Sequence, residues 1–146
     1  MVEKKKNAIA IRCHKIGEAE KKLYSYVAEY FGKENTFFVM NVDPATVKVP
    51  EGYNHIIFNH ETILSREDLF WPQDVAWKCG DYCYYALHHA LSGYSYFWLM
   101  ESDIQFCCNS AETFFSDFEQ HDADFLAPRF GRATESLYFY QCFYLC

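Results

Sequence analysis

Two carboxylates separated by a single residue, Glu101 and Asp103, directly follow the apolar run 96–100. Side chains on a strand alternate between its two faces, so both carboxylates point the same way if the extended backbone continues. Ligands of open α/β sheets gather at the carboxyl ends of the strands, and hard divalent cations take oxygen ligands. The pattern predicts a cation site at the end of a central strand. The plainer interpretation is a buried strand with a solvated polar end.

Polar side chains follow the other predicted strands as well. Arg12, His14 and Lys15 come after the first, Asn41 and Asp43 after the second, Asn59 and His60 after the third, and Arg129 after the fifth. In a parallel sheet these residues would converge along one edge. The plainer interpretation is that the cations are simply solvated and that the histidines are ordinary surface or core residues.

Hydrophobic periodicity indicates the elements that would position these residues. Continuous apolar runs, typical of strands buried on both faces, lie at 7–13, 36–42, 55–58, 96–100 and 123–127. Helical spacing covers 17–31, with Gly32 as its stop, and 77–91; a third helix follows Asn109, which forms a capping-box pattern with Glu112. Residues 61–73 fit a loop with one helical turn. Strands alternating with helices predict an α/β fold, a mostly parallel sheet flanked by helices in a single domain, 1–146.

The same spacing predicts which side of each helix faces inward. The predicted inner residues are Ala19, Leu23, Val27 and Tyr30 in the first helix, Tyr82, Tyr85, Ala86, His89 and Ala90 in the second, and Phe114, Phe115 and Phe118 in the third. Aromatic residues make up 20% of the chain, so we expect a core built from rings.

Composition argues against several classes of protein. A net charge of −7 argues against a nucleic-acid partner, which would need a basic face. No apolar run approaches the ~20 residues of a membrane helix, and the apolar segment after the amino-terminal lysines is too short for a signal peptide. We therefore expect no transmembrane segment and a cytoplasmic location.

The seven cysteines include no C-x-x-C pair. Cys79 and Cys83 lie four residues apart on a predicted helix, with His88 and His89 further along. A zinc site is one interpretation, and buried thiols acting as small apolar residues are the other. The chain contains neither glycine-rich nucleotide-binding signature, G-x-G-x-x-G or G-x-x-x-x-G-K-[ST], and no G-x-S-x-G motif.

The order of these elements, ending in Tyr96-Phe-Trp-Leu-Met-Glu101-Ser-Asp103, resembles the nucleotide-binding half of GT-A glycosyltransferases. That Rossmann-like architecture carries an acidic D-x-D signature at this place. The segment Lys78-Cys-Gly-Asp81-Tyr-Cys-Tyr-Tyr also resembles what bacterial members carry before the acidic strand. The resemblance covers roughly residues 7–130. It implies a nucleotide-sugar glycosyltransferase that binds a UDP- or GDP-linked sugar through Mn²⁺ or Mg²⁺ and transfers the sugar to an unknown glycan or other acceptor.

The resemblance also implies a role for each matching residue. Asp103 corresponds to the last carboxylate of the signature, which ligates the cation that bridges the diphosphate. Glu101 corresponds to the first, which faces the ribose or reaches the metal through water, and it is one methylene longer than the aspartate of the family. Asp43 corresponds to an acidic position that contacts the nucleoside, and Asp81 would lie near the sugar.

Arg12 and His14 would complete the nucleotide-sugar site from the end of the first strand. In this group the acceptor site, and the general base of inverting members, come from the second half of the domain. Here the chain ends in an aromatic run, 137–146. The run is either a last strand that packs back or the mark of a fragment. We favour the fragment, expect the tail 131–146 to promote self-association, and expect little or no transfer activity.

Three hypotheses therefore stand. The first is a GT-A-like glycosyltransferase or its truncated donor-binding half. The second is a non-catalytic or degenerate module with the same sheet that serves as a binding or interaction surface. The third, a thiol or zinc protein, depends only on the number of cysteines.

Overall fold

The computed structural model describes residues 7–63, 70–106 and 110–119, which form four strands, five α-helices and one short 3-10 helix, Lys33–Asn35. The strands are β1 (Asn7–Arg12), β2 (Thr36–Asn41), β3 (His55–Phe58) and β4 (Tyr96–Glu101). The helices are α1 (Glu18–Phe31), α2 (His60–Ile63), α3 (Val75–Lys78), α4 (Tyr82–Ala90) and α5 (Ala111–Glu119). Each described strand lies within one residue of its predicted bounds.

The four strands form one parallel sheet in the order β3-β2-β1-β4. The chain builds outward from β1 to β3 and then returns across the sheet to place β4 on the other side of β1. The predicted α/β fold with a parallel sheet is thus confirmed for the described strands. Because all of them are parallel, their carboxyl ends lie at one edge, where the predicted polar residues follow them.

The central strand β1 is buried on both faces, which explains its continuous apolar sequence. Ile9 and Ile11 belong to the core on the side of α1 and α5. Ala10 belongs to the second core cluster, on the side of α4.

Rings fill much of the core between α1, α5 and the sheet, as the aromatic content predicted. Phe115 of α5 is fully buried and packs edge-on against Trp98 of β4, with ring centroids 5.0 Å apart. Phe31 of α1 also packs edge-on against Phe115, with ring centroids 4.7 Å apart. These three rings join α1, α5 and β4 into one layer.

Helix α1 follows its predicted spacing, with Leu23 and Val27 buried. Tyr24 and Phe31 complete the buried face in place of Ala19, which is exposed, and Tyr30, which is half-buried. The Glu20 carboxylate accepts a hydrogen bond from the Gly17 N–H at 2.9 Å, so the helix start is capped by a side chain. The helix ends at Gly32, as predicted.

The predicted helix over 77–91 is wrong in its continuity, and its predicted inner face is confirmed at Tyr82 and Ala86 but not at Tyr85, His89 or Ala90. The structure has two helices, α3 and α4, separated by Cys79–Asp81, because the backbone leaves helical geometry at Cys79, where φ is −121° and ψ is 56°. The buried residues of α4 are Tyr82, Cys83, Ala86 and Leu87. Tyr85, His89 and Ala90 are exposed. Packing against the sheet buries Cys83 and Leu87 and leaves the more polar rings of Tyr85 and His89 exposed.

Helix α5 begins at Ala111, and Ser110 accepts a hydrogen bond from the Thr113 N–H at 3.3 Å. Ser110 therefore acts at this helix start, one residue after the predicted Asn109, which lies outside the described residues. Phe115 is buried as predicted, Phe118 is half-buried, and Phe114 is 40% exposed.

Several predictions fall on parts of the chain that the structure leaves undescribed: the strand 123–127, Arg129, and the tail 131–146. Residues 61–73 are described in part, and the helical turn predicted there is present as α2. Among the described helices, none combines the length and the apolar character needed to cross a bilayer.

The turn after α1 yields a test of the fold. Gly32→Ala should lower the free energy of unfolding by about 1–3 kcal/mol, because Gly32 has a φ of 83° and a ψ of 147°, a region close to one that only glycine occupies readily. A Cβ there would also lie 2.6 Å from the Glu34 carboxylate. Urea denaturation followed by circular dichroism measures the change.

Gly93→Ala is the matched control, because a Cβ at Gly93 meets nothing within 4 Å and its φ is not positive. Equal losses of stability in the two variants would contradict the conformation described at Gly32.

Candidate functional site

The order of the strands reverses between β1 and β4, so the candidate site lies at the carboxyl ends of these two strands. In open α/β sheets, the crevice outside such a reversal is where ligands bind, because the connecting chains diverge to opposite faces there. The last residues of the two strands, Arg12 and Glu101, are register partners. Sequence alone predicted the polar edge, and the order of the strands now selects one point along it.

Arg12 and Glu101 form an ion pair at this point. Side chains that are direct neighbours on parallel strands lie on the same face, so the register brings the two groups side by side. The Arg12 Nη1 atom donates to Glu101 Oε1 at 2.7 Å. The Arg12 side chain is 21% exposed and the Glu101 side chain 55% exposed, so the pair stands at the surface with its cation the more enclosed partner.

The turn between α3 and α4 encloses the guanidinium of Arg12. A Cβ atom at Gly80 would lie 3.0 Å from Arg12 Nη1, so the glycine leaves room for the arginine. Sequence reasoning did not single out Gly80. The signal was there, since Gly80 stands within the Lys78-Cys-Gly-Asp81 segment that carried the family resemblance, but only the packing shows what the missing side chain is for.

Asp81 belongs to the electrostatic surroundings of the same pair. Cys83, in the first turn of α4, is buried, and burial is the main reason that its pKa rises to about 11. The charge of Arg12 opposes this rise, whereas the carboxylates of Glu101 and Asp81 add to it. Three of the predicted site residues, Arg12, Asp81 and Glu101, thus influence the pKa of one buried thiol.

The first turn of α4 does not present unused backbone donors at the site. The N–H groups of Tyr82, Cys83 and Tyr84 donate to the carbonyls of Cys79, Gly80 and Asp81. A helix start of this kind contributes its dipole but not the free N–H groups that hold phosphates elsewhere. An anion bound here would therefore depend on the guanidinium of Arg12.

Asp103 lies just beyond the end of β4 and is exposed. The strand ends at Glu101, and the chain turns at Ser102 and Asp103, where the Ile104 N–H donates to the Glu101 carbonyl at 3.3 Å. The condition under which Glu101 and Asp103 were expected to share a face, a continuing extended backbone, is therefore not met. Asp103 has no hydrogen bond or ion pair to the residues that the structure describes.

His14 and Asp43 also lie past the carboxyl ends of their strands. His14 is exposed, two residues beyond β1. Asp43 is exposed, and its Oδ1 accepts a hydrogen bond from the Ala45 N–H at 2.9 Å, which forms an Asx turn. The carboxylate of Asp43 therefore has a structural function in the loop after β2. Neither residue has a hydrogen bond or ion pair to Arg12 or Glu101 within the described part of the chain.

The polar residues after β3 are the furthest from Glu101. Asn59 accepts a hydrogen bond from the Thr62 N–H at 3.0 Å and shapes the start of α2. The ring of His60 packs edge-on against that of Trp71, with centroids 5.2 Å apart. Strands β3 and β4 are three spacings apart in the sheet, about 14 Å. Only an elongated ligand could reach from one end of this polar edge to the other.

The atoms that could ligate a metal decide which metal the described residues suit. They contain no group of three or more histidine, cysteine, aspartate or glutamate side chains placed to hold a metal ion. Cys83 is buried against the sheet and His88 and His89 are exposed, so burial places the proposed zinc ligands in different environments. Glu101 and Asp103 supply hard oxygen donors, which fit Mn²⁺ or Mg²⁺ when further ligands come from phosphate or water.

A cavity of about 340 Å³ lies apart from the predicted site residues, between β3, α2 and α4. Ile56, Ile63, Tyr85 and His89 are among its lining residues. Among the described residues that line it, none carries a carboxylate or a guanidinium.

No protein-family model, curated protein or solved structure matches this chain. The likeness to GT-A glycosyltransferases therefore depends on the order of the elements and on the residues at the carboxyl edge of the sheet.

The two buried thiols at the site yield a chemical test. Cys13 and Cys83 should resist alkylation by iodoacetamide at pH 8 in the native chain, because the thiolate is the reactive form. Burial, with smaller contributions from Glu20 and Cys83, raises the pKa of Cys13 from an ordinary 9.0 to about 12. Its thiolate fraction at pH 8 is then about a thousandfold lower than that of an ordinary thiol. Mass spectrometry of the labelled peptides measures each site.

The same chain in urea is the control, and both cysteines should label there. The raised pKa values also imply that the free energy of unfolding falls as the pH rises from about 9 towards 12. The reason is that the two thiols keep their protons to a higher pH in the folded state than in the unfolded state. Rapid native labelling of Cys13 at pH 8 would contradict its buried position.

Proposed function

We propose that this chain is the donor-binding domain of a GT-A-like glycosyltransferase. In this proposal, the carboxyl edge of the sheet at β1 and β4 binds a UDP- or GDP-linked sugar through Mn²⁺ or Mg²⁺. The observation that carries the proposal is the Arg12–Glu101 pair at the reversal of strand order, with the exposed Asp103 two residues further on. A guanidinium and two carboxylates at this point are the charges that a diphosphate and a divalent cation require together.

The sign of the local charge explains why a cation would be needed. Arg12 is paired with Glu101, Asp81 directly follows the Gly80 turn that lies against Arg12, Asp103 stands two residues after Glu101, and the whole chain has a net charge of −7. A diphosphate approaching alone would meet more negative charge than positive. A divalent cation would reverse this balance, and Mg²⁺ sites commonly use one or two carboxylates with the remaining ligands from substrate phosphates and water. Two carboxylates are therefore a sufficient protein contribution.

Each candidate residue has a role that its environment supports. Asp103, exposed and without a described partner, would be the principal ligand of the cation, and Glu101 would be the second carboxylate. Arg12 would contact the diphosphate, since the nearby backbone N–H groups of α4 are already used. Asp81 would lie towards the sugar, and His14 and Asp43 would lie along the edge towards the nucleoside.

When bound, the cation would stabilise the negative charge that develops on the departing diphosphate. The described residues include no candidate for the general base that we would defend, so the proposal assigns donor binding to this domain and leaves the acceptor and the stereochemical outcome open.

A second candidate function is a binding or interaction module with the same sheet and no catalysis. The observation that favours it is the engagement of Glu101 with Arg12, which satisfies two of the charged groups internally. Metal-dependent binding of a nucleoside diphosphate would distinguish the two, because only the donor-binding domain requires it.

Calorimetry with an Asp103→Asn variant tests the proposed function. The wild-type chain should bind UDP or GDP in the presence of Mn²⁺, and EDTA should weaken that binding. Asp103→Asn removes a charged ligand with almost no change in volume and should weaken the Mn²⁺-dependent binding at least tenfold, since a charge-assisted contact contributes about 1.5–3 kcal/mol.

Asp117→Asn is the matched control, because Asp117 is an exposed aspartate on α5, far in sequence from the carboxyl edge. It should bind the nucleotide as the wild type does. If the wild-type chain, shown to be folded by circular dichroism, binds neither UDP nor GDP with Mn²⁺, the donor-binding proposal is wrong and the interaction module is favoured.

A further inference from the structure

The Arg12–Glu101 pair occupies two of the charges that the proposed donor site would use. While the pair is closed, the Arg12 guanidinium and the Glu101 carboxylate are bound to each other and neither is free for a ligand. An incoming diphosphate competes with Glu101 for Arg12. An incoming divalent cation competes with Arg12 for Glu101. The two competitions are linked because they concern the same contact.

We propose that the diphosphate and the divalent cation bind cooperatively because each of them opens this pair for the other. The diphosphate takes the place of Glu101 on Arg12, and the released Glu101 then becomes available to the cation beside Asp103. Arg12 is the anion-binding residue of the site, and Glu101 is its internal substitute for the ligand. This inference rests on the proposed function and names the regulation of the same site.

The environment of the pair allows it to open. Both side chains reach solvent, and the Glu101 side chain is 55% exposed, so water can replace each partner. Exposed ion pairs of this kind change equilibria by about one- to fivefold only. The two groups are therefore held together by the register of β1 and β4 more than by the strength of their attraction.

Arg12 is suited to exchange one anion for another without leaving its place. It contacts Glu101 through Nη1, and a guanidinium carries five N–H donors in a planar fork that fits phosphate oxygens. Gly80 lies against the guanidinium, so Arg12 is positioned by the turn before α4 as well as by Glu101. The N–H groups of that turn are engaged with carbonyls, which leaves the guanidinium as the donor to the diphosphate.

The proposal predicts opposite gains of affinity in two single variants. Glu101→Gln removes the internal anion, so UDP in EDTA should bind about two- to fivefold more tightly than to the wild type. Arg12→Met removes the internal cation, so Mn²⁺ without nucleotide should bind more tightly by a similar factor, while UDP should bind at least tenfold more weakly. A purely structural ion pair predicts that neither variant gains affinity for anything.

Isothermal titration calorimetry on the full chain measures these values, with UDP or GDP in EDTA as one titrant and Mn²⁺ without nucleotide as the other. Glu29→Gln is the matched control for the loss of one negative charge, because Glu29 is exposed on α1. It should leave the affinity for UDP unchanged. Because Glu101 is largely exposed, Glu101→Gln keeps the test decisive even if Arg12→Met fails to fold.

The outcomes separate this inference from the proposed function. Opposite gains in the two variants support the inference. If the wild type binds UDP with Mn²⁺ in an Asp103-dependent way but neither variant gains affinity, the linkage through the pair is overturned and the donor-binding function stands. If the wild type binds neither UDP nor GDP with Mn²⁺, both are overturned.

Discussion

The in-register pairing of β1 with β4 is the interaction on which the rest of the site depends. Six residue pairs join these strands, from Asn7 opposite Tyr96 to Arg12 opposite Glu101. A shift of one residue would move the polar end of β4 to the other face of the sheet. The buried part of the ladder therefore positions a surface contact, and the ion pair at its end does not need to be strong to be well defined.

The packing of helices on both faces of the sheet positions the wall of the candidate site. Both sides of the sheet are covered by branched and aromatic side chains, with Ile9 and Ile11 of β1 facing α1 and α5 and Ala10 of β1 facing α4. Close packing there brings the turn at Gly80 against the guanidinium of Arg12. A larger residue in place of Ala10 or Gly80 would push α4 away from the end of the sheet and expose the guanidinium of Arg12.

The electrostatics of the site are those of one arginine in an acidic chain. Burial raises the pKa of Cys13 and Cys83, so both thiols stay neutral and contribute no charge beside the pair. Arg12 then offsets one carboxylate and leaves others to attract a cation. This balance is why the proposed diphosphate would need a divalent ion with it at this edge.

The sequence by itself determined the four described strands, the class of fold and the polar character of one sheet edge, because continuous apolar runs such as 7–12 and 36–41 have few other stable arrangements. It could not determine the order of the strands, the break between α3 and α4, or the turn that ends the extended chain before Asp103. Local patterns carry no information about which strands become neighbours. Only the tertiary structure, by placing β4 beside β1, decided that Arg12 faces Glu101 and that Gly80 lies against the guanidinium.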